Sequence, residues 1–212
     1  MYLIRGQHNL DLFKSRFKDI KLSGTIGNFD GLHLGHQAIL EKIKNNSKKF
    51  ESRTIVFFTE PHASEYFASI SNLDNKIPPR ICSWREKFKL LEKSDIDFAF
   101  FLKFNNSLRT MSPENFITEI LDSINLKSFT VGDDFRFGLD RKGDTDQLRE
   151  WGKKRDILVE NTETILLEGE RVSSTRIRKA LIDNNFKLAE KLLGRPYTFS
   201  GKVVHGQHLG RT

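Results

Sequence analysis

The sequence predicts an α/β fold, a Rossmann-like doubly wound parallel sheet with helices on both faces. Three observations predict it. Short apolar runs alternate with helically spaced ones, two of those runs end in glycine-containing turns, and a late Ser-Ser-Thr opens a further helix. Open sheets of this kind bind ligands at the carboxyl edge, so the turns that follow the strands are where chemistry is expected.

The elements follow in order. Residues 22–26 read as the end of a buried strand, and Ile39, Leu40 and Ile43 recur at helical spacing beyond the next glycines. Residues 54–58 read as a strand, 84–93 as a helix and 98–102 as a strand. Ser112 before Pro113 and Glu114 marks a helix start, because proline at the first helical position is preorganised and sacrifices no hydrogen bond. Residues 128–131 read as a strand, 145–154 as a helix and 165–167 as a short strand before the Ser-Ser-Thr helix. Gly194-Arg195-Pro196 interrupts a last helical pattern, and residues 197–204 turn strand-like.

The 212 residues can bury a sizeable core, and 18 phenylalanines supply its apolar surface. No run approaches bilayer-spanning length and no short apolar leader precedes a cleavage-like site, so a cytoplasmic location without membrane contact is expected. The lone Cys82 cannot form an internal disulfide, argues against a cysteine-based zinc site and is expected to pack. A net charge of +7 suits nucleic acid or small polyanions. The lysine clusters KNNSKKF and WGKKRD lack interleaved aromatics and read as solvated helix ends, so no nucleic-acid partner is expected.

The most informative stretch is GNFDGLHLGH, residues 27–36. Its glycines let the backbone approach a bulky polyphosphate, and the following helix offers free N–H groups and the positive end of its dipole. His33 and His36, three apart, can both face that anion. Two other readings of these residues stand: a plain strand-to-helix turn, and a zinc or iron site built from Asp30, His33 and His36. Walker A needs a lysine followed by Ser or Thr, and the dinucleotide fingerprint spaces its glycines differently.

Farther along, VSSTRIRKAL (residues 172–181) places Ser174 at a helix start with Arg178 one turn on. A hydroxyl, amide donors and a guanidinium on one face make a second anion clamp; an ordinary cap is the alternative. VGDDFRFG (131–138) follows a strand, so Asp133 or Asp134 could touch a ligand or a magnesium ion. An Asp-rich turn with core aromatics is the plainer reading. His62 in FFTEPHASEYF reads as a solvated loop residue that could contact phosphate.

HLGH resembles the His-x-Gly-His signature of the nucleotidyltransferase superfamily. The longer TIGNFDGLHLGHQ resembles the FMN adenylyltransferase module of bacterial bifunctional riboflavin kinase/FAD synthetases. Ser173, Ser174, Thr175 and Arg178 match the superfamily's Ser-Ser-Thr-x-x-Arg, and VGDDFRFG resembles the family's flavin-side motif. IRGQHNL, SPENF and LLGRPY carry the resemblance over almost the whole chain. One segment departs. The family shows Thr-Phe-Asp/Glu-Pro with a second proline two residues later, whereas this chain has Phe58-Thr59 and Ala63, with Glu60 and Pro61 in place.

The resemblance implies a nucleotidyltransferase fold over residues 1–185, followed over 186–212 by a linker and the truncated start of a riboflavin kinase domain. It implies transfer of AMP from ATP to FMN with Mg2+. His33, His36 and Arg178 would then be catalytic. Gly27, Asn28, Phe29, Asp30, Gly35, Ser173, Ser174 and Thr175 would hold the nucleotide, and Asp134, Phe135, Glu60 and Pro61 the flavin. The family's kinase motif would lie beyond Thr212, so no riboflavin phosphorylation is expected of this chain. Two rival functions stand beside this one: adenylyl transfer to another phosphorylated acceptor, and a non-catalytic flavin- or nucleotide-binding module.

Overall fold

The computed structural model describes residues 1–71 and 77–204. Six parallel strands form the main sheet: β1 (Tyr2–Arg5), β2 (Leu22–Ile26), β3 (Arg53–Glu60), β4 (Phe98–Lys103), β5 (Leu126–Gly132) and β6 (Leu158–Thr162). Their order in space is β1-β4-β3-β2-β5-β6. From β2 the chain builds outward to one side through β3 and β4, and to the other through β5 and β6. The strand order therefore reverses between β2 and β5, which are hydrogen-bonded neighbours.

The central strands read as unbroken apolar runs because both faces are covered. Ile55, Val56, Phe57 and Phe58 of β3 are all fully buried. Alternate residues serve opposite faces. Phe57 and Phe100 pack beneath α1 (Leu10–Arg16), α5 (Asn106–Thr110), α6 (Pro113–Phe116) with the π turn Ile117–Leu121, and α7 (Thr145–Lys153). Val56, Phe58 and Phe101 pack under α2 (Leu34–Lys49) and α4 (Trp84–Lys93). The Ser112 hydroxyl accepts from the Asn115 N–H, with Pro113 in the first turn. The lysine clusters do lie at the ends of α2 and α7.

Several elements escape the sequence reading. β1, α1, α5 and α3 (Ala63–Ser71) are too short or too weakly patterned to announce themselves. The polar β6 goes unassigned in the sequence reading, yet Glu160 accepts from Asn46 at 2.6 Å and pairs with Lys42 at 3.2 Å, so α2 satisfies the edge strand's Glu160. The strand expected at 165–167 is corrected: it is β7 (Leu166–Leu167), outside the main sheet and antiparallel to β8 (Glu170–Arg171). Glu168 and Gly169, both at positive φ, turn the chain back too sharply for a parallel crossover.

The strand expected over 197–204 is also absent. Those residues pair with no strand, and Phe199, Val203 and Val204 are 83%, 97% and 74% exposed. Residues 205–212 lie outside the described part. α8 (Ser174–Ile182) and α9 (Phe186–Leu193) pack together through Ile177, Leu192 and Leu193, so packing continues across the position where a linker is expected to begin.

At the amino edge of the sheet, the turns leading into β3, β4 and β6 each pass through one left-handed residue, Glu51, Asp95 and Asp156.

Candidate active site

The site is built where β2 and β5 end. The loop after β2 is held in a costly shape, with Phe29 at φ 47, Gly31 at 77 and Leu32 at 43. Contacts from four directions hold it. The buried Asp30 carboxylate accepts from the N–H groups of Ile81 and Cys82 and pairs with Arg178 at 2.6 Å. The Ser174 hydroxyl donates to the Asp30 carbonyl, the Gly31 N–H reaches Cys82 Sγ, and Arg195 Nη2 donates to the Gly31 carbonyl at 2.8 Å. Cys82 thus packs, as expected, and its thiol pKa is raised by burial.

His33 caps α2. Its Nδ1 accepts the His36 N–H at 3.3 Å, which leaves the neutral ring's proton on Nε2. The two imidazoles stack at 3.6 Å, and the His36 ring also packs on Phe29. Burial lowers the His33 pKa to about 4 despite the pull of Asp30. Desolvation holds His36 well below its usual value, helped by His33 and Lys87. Both rings are therefore neutral N–H donors at neutral pH. Gly35 is required by proximity: a Cβ there would sit 3.2 Å from the His33 ring.

The other two motifs converge on the same place. Ser173 caps α8, accepting from the Arg176 N–H at 3.2 Å. Beyond β5, Asp134 pairs with Arg171 at 2.9 Å and Phe135 stacks parallel to Phe137. Arg171 also holds Asp133 at 3.2 Å, and Thr164 donates to that same carboxylate.

Together these residues enclose a cavity of about 880 Å3 at the carboxyl edge, at the reversal of strand order. Gly27, Asn28, Phe29, His33, Gly35 and His36 line one side, Ser173 and Ser174 another, and Asp134 and Phe135 a third. Sequence reasoning missed Arg109, Arg136, Arg141 and Arg171 and the aromatic wall of Phe67, Phe104, Phe116 and Phe137. Several of these carried a positional signal: Arg171 stands just before the Ser-Ser-Thr, and Arg136 and Phe137 lie within VGDDFRFG.

Five expected site residues stand elsewhere. Asp30 and Arg178 form the pair described above, and Arg178 Nε also donates to the Pro79 carbonyl at 2.7 Å. Thr175 lies outside the cavity lining. Glu60 is held by Arg80, whose Nη2 also grips Glu65, and neither Glu60 nor Pro61 reaches the wall. The departing positions, Thr59 and Ala63, do line it. His62 is buried rather than solvated, because Lys87 Nζ lies 3.2 Å from its Nε2. Asp30 is too fully engaged to serve as a metal ligand with the histidines. Among the described residues no group of three or more His, Cys, Asp or Glu side chains is placed to hold a metal ion.

The sheet topology and the large cavity at its switch point define an α/β protein of nucleotidyltransferase-like fold. The family model for FAD synthetase matches residues 17–176, and the chain belongs to that family. It is 39% identical over 213 residues to the bifunctional riboflavin kinase/FMN adenylyltransferase of Escherichia coli strain K12, covering 100% of this chain and 65% of that protein. Proteins of the same description from Pseudomonas fluorescens and Haemophilus influenzae are 40% and 36% identical, covering 100% of this chain and 65% and 66% of theirs.

A crystal structure described as a macrolide-efflux protein from Streptococcus pneumoniae shares the fold, with a TM-score of 0.71 and 25% identity over 93% of this chain and 72% of that one. No helix among the described residues is long and apolar enough to cross a membrane.

Proposed function

We propose that this chain transfers AMP from ATP to FMN, giving FAD and pyrophosphate. The observation that carries the reading is the convergence on one cavity of the glycine-histidine loop after β2, the Asp134-Phe135 turn after β5 and the serines that open α8. Family membership and the FMN adenylyltransferase description of the relatives support the acceptor. Those relatives extend beyond the part this chain matches, so the reading covers adenylyl transfer alone. Residues 186–212 as a linker and the start of a second module, and a cytoplasmic setting, belong to the same proposal.

The chemistry suits the residues. A phosphate monoester's second pKa is about 6, so FMN's phosphate is already an anion and needs no general base. The site must align that oxygen with the α-phosphorus of ATP and stabilise charge on the departing pyrophosphate. In this reading the first turn of α2 and the Nε2–H of His33 face the phosphates as neutral donors, and His36 supports the His33 ring by stacking. Ser173, Ser174 and Arg171 line the same cavity from the start of α8 and the residues just before it. Arg178 contributes by neutralising Asp30 and so holding the loop. Phe135 and Phe137 offer a flat face to the isoalloxazine.

Magnesium takes oxygen ligands from one or two carboxylates plus substrate phosphates, and Asp133, Asp134 and Glu163 put such oxygens on the wall. When bound it would neutralise phosphate charge.

Incubation with ATP, magnesium and FMN, with nicotinamide mononucleotide and phosphopantetheine as alternative acceptors, tests the proposal. FAD with stoichiometric pyrophosphate is the expected product. Adenylylation of another acceptor instead, or binding of both substrates without turnover, would overturn it.

A further inference from the structure

Lys87 on α4 is fully buried. Its Nζ donates to the Asn28 carbonyl at 2.7 Å, lies 3.2 Å from His62 Nε2 and sits 5.0 Å from the centre of the Phe58 ring. The acidic groups that face it, Asp30 and Glu60, are committed to Arg178 and Arg80. Cys82, Arg80 and His36 are also among its charged and titratable surroundings. An ammonium taken out of water without an ion-pair partner is expensive, and a position needed only for packing is better filled by leucine or methionine.

The carbonyl that Lys87 holds belongs to Asn28, a residue of the cavity wall, one position before the left-handed Phe29. The Asn28 side chain is held separately, its Oδ1 accepting from Thr59. Backbone in such strained conformations persists only where its surroundings determine it from several sides. Lys87 holds this loop from outside the cavity lining, as Arg178 and Arg195 do, and brings to the Asn28 carbonyl a charge whose sign suits a polyphosphate in front.

We infer that Lys87 is a positioning residue for the polyphosphate: its buried ammonium locks the Asn28 carbonyl, and with it the strained loop, while its uncompensated charge biases the cavity toward anions. Burial lowers the Lys87 pKa from its usual value, and Asp30 and Glu60 pull it back up. The inference rests on the reading of the cavity as an ATP site.

Lys87→Met, nearly isosteric but without charge or donor, tests it beside Lys87→Gln, which keeps a donor. Calorimetry would give the affinities for ATP and for inorganic pyrophosphate, flavin fluorescence the affinity for FMN, and thermal unfolding the Tm. The expected result for Lys87→Met is a Tm no lower than the parent's, ATP and pyrophosphate bound about tenfold more weakly, and FMN, with its single phosphate, weakened by less. Lys87→Gln should fall between the two.

Unchanged ATP and pyrophosphate affinity in the methionine variant overturns the inference. So does a lowered Tm with equal losses for ATP and FMN, or failure of both variants to fold, since each marks Lys87 as structural only. FAD formation by the unaltered chain is measured alongside. Its absence, with ATP still bound, counts against the adenylyltransferase reading and not against the role of Lys87.

Discussion

At the scale of single residues, the candidate site is organised by groups that hold the loop as much as by groups that face the cavity. Arg178 illustrates this: removing its guanidinium leaves Asp30 buried beside two N–H donors with no counter-charge. Arg178→Ala is expected to lower unfolding free energy by about 3 kcal/mol, measured by denaturant titration, as well as slowing FAD formation. Gly35→Ala separates the two effects. Its Cβ would press on the His33 ring at 3.2 Å while adding a good helix former to the first turn of α2. Stability should change by less than about 1 kcal/mol, whereas turnover, followed by chromatography of the flavins, should fall by roughly ten- to a hundredfold.

At the scale of elements, helix starts carry the phosphate-facing groups and also anchor the fold. Ser173→Ala removes the cap of α8 and is expected to cost about 1 kcal/mol in thermal unfolding while raising the KM for ATP more than that for FMN. The same elements show how much the sequence discloses. Strands buried on both faces and helices with a clear cap, such as β3, α4 and α6, are legible because their pattern is local. So were the three motif turns, since each ends a strand or opens a helix. β6 was not, because its polar residues are acceptable only against Asn46 and Lys42 of α2. The partners of Arg178 and Glu60 were hidden for the same reason. A guanidinium in a motif reads as a phosphate ligand until the fold supplies a carboxylate 148 residues away.

At the scale of the whole molecule, stability should depend on pH through the buried imidazoles. The pKa values of His33, His36 and His62 are all lowered by desolvation, so below about 6.5 the unfolded chain binds protons that the folded chain refuses. The sign follows: stability is complete above about 6.5 and falls as pH drops below it, for His33 down to about 4, at up to about 1.4 kcal/mol per pH unit; His36 and His62 act in the same direction. Denaturant midpoints at pH 7.5 and 5.0 would reveal it, and His62→Gln should flatten the dependence.

The opposite rim carries none of this chemistry. There the chain turns into β3, β4 and β6 through Glu51, Asp95 and Asp156, each in a conformation that glycine adopts freely. Replacing any one by glycine should add about 0.5–1 kcal/mol, read as a higher Tm, with FAD formation unaltered. Resistance to heat can thus be raised at one end of the strands with catalytic speed untouched, whereas at the other end the two stay linked through Arg178 and Ser173.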